Sequence, residues 1–215
     1  MNSRTLRSAL AAALLLGAML AFASWPRTAD LRGFEPAEIA RLETAMWRDY
    51  YDKRYGALFY RLYALSRTQF GFSPFDSLRI AWAAARAARA FQPTHSREAA
   101  NAALPPLVTY YRLLASATPG GFDAEEAARL ELDWWQARRE AVGPDQYGLT
   151  VARVAAITYG KRADEPSLVI SGIGRAEAMA YRDARGQAVT DQDWTEIECR
   201  LRRAYQSLKG AVAGG

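Results

Sequence analysis

FEPAEIARLETAMW, residues 34–47, and FDAEEAARLELDWW, residues 122–135, carry Phe, Glu, Ala, Arg, Leu, Glu and Trp at matched positions. Alanine- and arginine-rich helices resemble one another by composition, but not so densely over one block, so the chain reads as two like units. Outward from this block the correspondence continues, with a spacing that drifts by a residue or two as unequal loops require. Phe70-Gly71 answers Tyr159-Gly160, Ser77-Leu78-x-Ile80 answers Ser167-Leu168-x-Ile170, Phe91 answers Tyr181, and Tyr111-x-x-Leu114 answers Tyr205-x-x-Leu208. The expectation is a pair of pseudo-repeats over 34–116 and 122–210, four helices each, in a single helical domain spanning 34–215. Thr118-Pro-Gly-Gly121 is the seam, too short to let two halves move independently.

Caps and periodicity make the class all-α, a bundle of seven to eight helices behind an N-terminal apolar helix. Pro36 suits a first helical turn, and Ile39, Leu42, Met46, Trp47 and Tyr50 follow at helical spacing toward Gly56 or Gly71. Asp76 after Pro74 opens a helix through Phe91, and Ser96 with Glu98 opens another that Pro105 and Pro106 break and restart. Asp123 caps the second copy, with Phe122 placed as a hydrophobic staple. Later helices are expected from Asp145 to Tyr159, Pro166 to Asp183 and Thr190 to Lys209. Small residues concentrate at Ala81, Ala84, Ala85 and Ala88 and again at Gly172, Gly174, Ala176, Ala178 and Ala180. Helix axes approach closely where little but backbone lies between them, which predicts that these two helices pack near the centre.

Residues 1–33 read as an export segment with a short linker. Arg4 and Arg7 precede the uncharged run 9–23, ALAAALLLGAMLAFA, and Ser24, Trp25, Pro26 and Arg27 follow it. The ending Ala21-Phe22-Ala23 fits a cleavable signal peptide, whereas the run extended to Trp25 favours retention as a tilted membrane anchor. In both cases the N-terminal arginines stay inside and the body lies on the periplasmic or extracytoplasmic face.

Cys199 is the single cysteine of the chain, which excludes an internal disulfide, a CxxCH haem site and a cysteine-rich zinc cage. The net charge of +5 falls to +3 once Arg4 and Arg7 are set aside, too mild to imply nucleic acid, and no nucleic-acid module stands out. His95, the one histidine, sits beside Pro93 in a loop, so the Glu-x-x-His pairs of a dimetal carboxylate site are missing. There is no GxSxG elbow, and Gly172-Ile-Gly174 lacks the Lys-Ser/Thr of a phosphate loop. No metal and no cofactor is expected.

The chemically odd feature lies inside the repeated block. Glu43 shares the apolar stripe of Leu42, Met46 and Trp47, Glu131 is surrounded in the same way by Leu130, Trp134 and Trp135, and Glu177 falls on the stripe of Ile170, Ile173 and Tyr181. A carboxylate taken from water must be paired, hydrogen-bonded or protonated. Arg54, Arg138, Arg139 and Arg175 are candidate partners, as are the hydroxyls of Tyr50, Tyr51, Tyr110 and Tyr111. The candidate set is therefore Glu43, Trp47, Tyr51, Arg54, Glu131, Trp135, Arg138, Arg139, Arg175 and Glu177, read as a buried polar network that fixes the register of the repeats. The functional expectation is an exported, membrane-tethered helical binding or structural protein of a bacterial-type cell envelope, meeting the membrane through its N-terminus and a protein partner through its body. The alternative is an envelope enzyme or small-molecule binder that uses the buried glutamates between the repeats.

Overall fold

The structure, a computed structural model, describes residues 3–25, 29–116 and 118–213, with side chains from residue 8 onward. The side chains of Arg4 and Arg7, and Pro26 and Arg27, lie outside the described residues. Among the described residues there are helices and turns and no strand: α1 (Ser3–Ser24), α2 (Pro36–Tyr51), α3 (Tyr55–Gln69), α4 (Pro74–Phe91), α5 (Arg97–Ala100), α6 (Leu104–Ser116), α7 (Ala124–Arg139), α8 (Pro144–Tyr159), α9 (Pro166–Asp183) and α10 (Asp191–Val212). The all-α class holds. The helix count exceeds the expected one because the first body helix divides into α2 and α3, and the expected break at Pro105 and Pro106 is corrected: it falls earlier, at a 3-10 turn over Asn101–Ala103, with both prolines in the first turn of α6.

Local chemistry sets most boundaries. Asp123 accepts the backbone N–H of Glu126 at 2.9 Å to open α7. Thr190 and Asp193 satisfy each other's backbone N–H groups in a capping box ahead of α10. At α4 the expected opening is corrected: the helix begins at Pro74 and its cap is Ser73, whose hydroxyl accepts the Asp76 N–H at 3.0 Å. The first helix stops neither at Gly56 nor at Gly71. The chain breaks over 52–54, where Lys53 takes a left-handed φ of 58°, and restarts as α3.

Within the body each helix packs on the next in chain order, α5 and the 3-10 turn serving as the lead into α6, and α10 returns to pack on α2. The circuit encloses two apolar cores. One gathers Ile80, Leu107, Tyr111, Leu130, Trp134 and Met179, and the other gathers Phe34, Ile39, Leu168, Ile197, Leu201 and Leu208. Trp47, Phe70 and Tyr159 touch both cores and join them. The small residues of α9 do what their composition predicts. A Cβ on Gly172 would strike the Gly148 carbonyl and stand 2.7 Å from the Ala152 nitrogen, so α8 and α9 meet backbone to backbone.

The matched positions behave unevenly. In the middle of the first block burial agrees: Ala40 and Ala128, Leu42 and Leu130 are buried, while Arg41 and Arg129 are exposed; Phe34 and Glu43 are buried more deeply than Phe122 and Glu131. Gly71 and Gly160 both take left-handed φ, 74° and 62°, just past the ends of α3 and α8. Tyr111 and Tyr205 are buried, as are Leu114 and Leu208. The third-helix match is out of register: Leu78 is exposed where Leu168 is buried, and Ile80 is buried where Ile170 is exposed.

Among the described residues no helix is long and apolar enough to cross a membrane. α1 lies against α4 and leaves Leu10, Leu14, Leu15, Leu16, Met19, Leu20 and Phe22 between 56% and 67% exposed.

Candidate functional site: an acid and tyrosine network inside the body

Glu43 on α2 is buried, and each of its carboxylate oxygens has a partner. Arg175 Nη2 of α9 donates to Oε1 at 2.6 Å, and the Tyr205 hydroxyl of α10 donates to Oε2. Glu131 on α7 is half-buried and meets neutral donors only. Its Oε2 accepts from the Tyr111 hydroxyl of α6 and from Trp134 Nε1, both at 2.9 Å, and its Oε1 accepts from Trp135 Nε1 at 3.0 Å. The two acids thus sit at matched positions and each is held by a matched tyrosine, Tyr205 for Glu43 and Tyr111 for Glu131. Their remaining partners differ, an arginine in one case and two indoles in the other.

Electrostatics follows this geometry. Burial, and then the Glu131 charge, push the Tyr111 hydroxyl well above the ordinary tyrosine value. Burial does the same for Tyr205, with Arg175 opposing and Glu43 adding to the rise. Burial on its own lowers the pKa of Arg175, but the Glu43 carboxylate and Tyr205 outweigh it and keep the guanidinium charged. Tyr110 is also raised, by burial first and then by Glu131, and it feels Arg175 and Glu43 as well. The two acids therefore act within one interior neighbourhood.

The other expected residues divide among separate clusters. Arg138 donates through Nε to Asp183 Oδ2 at 2.9 Å and through Nη2 to the Tyr51 hydroxyl at 2.5 Å, while the Arg182 guanidinium stacks 3.1 Å from the Tyr51 ring centre. Arg54 serves Asp49 rather than a glutamate: Asp49 is 1% exposed and takes Arg54 at 2.8 Å and Arg61 at 2.5 Å. Arg139 is exposed, stacks 3.6 Å over Phe91 and donates to Thr94 at 2.7 Å. Trp47 joins the cores without a hydrogen bond to either glutamate. Glu177 is a correction. It is exposed, because α9 turns its small residues inward, Gly172 toward α8 and Gly174 toward α10 with Ala176 and Ala178 buried beside them, and leaves Ile170 and Glu177 outside.

Sequence reasoning missed Tyr205, Asp49, Arg61, Arg182 and Asp183, and it missed the indoles as donors. Tyr205 was recoverable: if Tyr111 serves Glu131, the matched tyrosine serves Glu43. Asp49 had no such signal, since Ala137 occupies its matched position. Neither principal groove includes Glu43 or Glu131. One of about 140 Å³ lies between α4 and α6, and a wider one of about 440 Å³ lies between α5–α6 and α7. Among the described residues no three acidic, histidine or cysteine side chains gather as a metal ion requires.

The fold and its interior define a class, a closed helical body cross-braced by an acid and tyrosine network. No family model, no curated protein and no solved structure matches the chain.

Proposed function

We propose that this is an exported, membrane-tethered helical protein that binds a partner or organises structure on the outer side of the cytoplasmic membrane in a bacterial-type cell envelope. The observation that carries the reading is α1, whose segment 8–24 has no charged residue and whose leucines remain uncovered by the body. Apolar surface this continuous is stable when lipid or another protein covers it. The interior acids support a binding or structural role over chemistry, because the oxygens of Glu43 and Glu131 are already engaged by donors within the chain. Buried acids held in this way fix how neighbouring helices seat against one another.

Cell fractionation of the full chain carrying a C-terminal tag tests the reading. The protein is expected in the membrane pellet after an alkaline wash, with the tag open to protease added from outside and the N-terminus intact. A mature chain beginning at Ser24 would replace tethering by release, and an intact chain in the cytosol would sink the proposal altogether.

We infer, too, that 34–116 and 122–210 descend from one four-helix unit. Support comes from the shared burial in the middle of the first block, the paired left-handed glycines and the two acid–tyrosine contacts. Superposition of the two units that lays Glu43 on Glu131 and Tyr111 on Tyr205 is the expected outcome. A best superposition pairing other helices would reject common descent.

A further inference from the structure

The outer face of α4 carries Phe75, Leu78, Arg79, Trp82, Arg86 and Arg89 at helical spacing, all exposed. Trp82 is 60% and Phe75 50% exposed, and Phe59 of α3 meets the Trp82 ring edge to face with centroids 6.4 Å apart. Large apolar side chains interleaved with arginines, on a helix whose opposite face is buried, make an interfacial surface rather than a solvated one. The charge is one-sided. Asp76 is the single acid on this helix and lies 3.4 Å from Arg79, while Arg112 on neighbouring α6 is paired with Glu125. Between α4 and α6 the groove of about 140 Å³ is lined by Arg79, Trp82, Arg86 and Thr109, so an arginine precedes and another follows the tryptophan by one helical turn. That arrangement suits a phosphate headgroup with the ring at the lipid–water boundary.

A second observation places this face. α4 is the body helix that α1 touches, so the uncovered leucines join the body at the helix that carries the arginine–aromatic stripe. The geometry points to an anionic bilayer as the occupant of this face: the body lies down on the membrane that holds α1, with Trp82 at the interface and Arg79 and Arg86 on lipid phosphates. This rests on the tethered reading of α1, and it adds an orientation that tethering alone does not supply.

The test uses the full chain with Cys199→Ser, reconstituted in vesicles of phosphatidylcholine alone or with phosphatidylglycerol. One sample carries a polarity-sensitive fluorophore on Leu78→Cys and another carries it on Ile170→Cys, an exposed position of α9. Flotation with the vesicles reports α1 and therefore the tether. Blue-shifted emission and quenching by lipid-borne quencher at position 78, absent at 170 and present only with phosphatidylglycerol, are expected. Arg79→Gln with Arg86→Gln should weaken the signal at 78 by about thirtyfold in apparent affinity at low salt while leaving flotation intact. Failure to float overturns the tether. Floating protein with a wet probe at 78, equal signals at 78 and 170, or a shift indifferent to lipid charge overturns the orientation, and the first of these outcomes turns the face over to a protein partner.

Discussion

Glu43 and Glu131 sit at matched positions of two similar segments, yet their partners differ, and the difference has consequences for stability. Removing the Glu43 charge leaves Arg175 inside the body without the anion that offsets its burial, whereas a glutamine at 131 still offers an oxygen to donors that carry no charge. Breaking one side of a buried ion pair costs about 3–5 kcal/mol, and weakening neutral hydrogen bonds costs about 1–3 kcal/mol. Glu43→Gln is therefore expected to lower the unfolding free energy more than Glu131→Gln, as urea titrations followed by circular dichroism will measure; equal losses would mean that Arg175 finds water. Alkaline pH probes the same groups. Tyr111 and Tyr205 are raised well above the ordinary value and Tyr147 is pushed up to about 12, each by burial first. Their folded forms hold protons that the unfolded chain releases above about pH 10, so their contribution is complete below that pH and is lost as pH rises toward the folded values. The slope is about 1.4 kcal/mol per pH unit for each tyrosine in that window. Melting temperature should fall steeply above about pH 10, with the last of the tyrosinate absorbance appearing together with unfolding. Tyrosinate absorbance that reaches its full value while helicity is unchanged would show these hydroxyls to be open to solvent.

At the scale of the element, the α8–α9 contact depends on two glycines in helix interiors. Gly172→Ala gains about 1 kcal/mol of helix propensity and sets it against an overpacking cost of about 1–3 kcal/mol or more. The obstruction is backbone, the Gly148 carbonyl and the Ala152 nitrogen, and backbone in a packed helix does not step aside as a side chain does. The substitution is expected to destabilise the protein, while Gly210→Ala in α10, where an added Cβ meets nothing within 4 Å, is expected to be neutral or stabilising. Paired thermal melts will show whether the two signs differ. These glycines also explain what the sequence reveals and what it hides. Caps and prolines are local signals, so Pro36, Asp123, Pro166 and Thr190 place their helix starts to within a residue or so. The inward face of α9 is not a local property. Ile170, Ile173 and Tyr181 form the more hydrophobic stripe, but close approach of α8 demands the small one, and Glu177 goes outward with Ile170 while Ile173 and Tyr181 stay half-buried. The same tertiary preference breaks the apparent match of Ser77-Leu78-x-Ile80 with Ser167-Leu168-x-Ile170. By contrast Glu43 and Glu131 were legible, because the apolar stripes they share are ones the fold buries, a condition that the stripe of Glu177 does not meet. Their donors were legible only in part, since Arg175 and Tyr205 lie more than a hundred residues away from Glu43 along the chain.

For the whole molecule, the return of α10 to α2 determines how the body coheres. Lys209 Nζ donates to the Arg32 carbonyl at 2.6 Å and to the Phe34 carbonyl at 3.0 Å, so the last helix clasps the strap that enters the first helix of the body. On that strap Ala29 and Leu31 are buried, and the Tyr159 hydroxyl donates to the Leu31 carbonyl at 3.1 Å. The two ends of the body are thus neighbours, and the seam at 118–121 lies at the α6–α7 turn, which occupies the matched place in the circuit. A chain that closes on itself tolerates being opened elsewhere when the cut falls in an exposed turn and the old ends are joined. A circular permutant without α1, linked from Ala213 to Ala29 by about ten glycine and serine residues and opened between Pro119 and Gly120, should keep its helical circular dichroism and a single cooperative melt. In it the Glu131–Tyr111 contact crosses the new termini, while the Glu43–Tyr205 contact, which spans the original ends, lies across the linker. Glu43→Gln should therefore remain the costlier of the two substitutions in the permuted background. A permutant that loses its helicity would mean that α10 does not close on α2 in solution, and the acid and tyrosine network could not then brace the body from within.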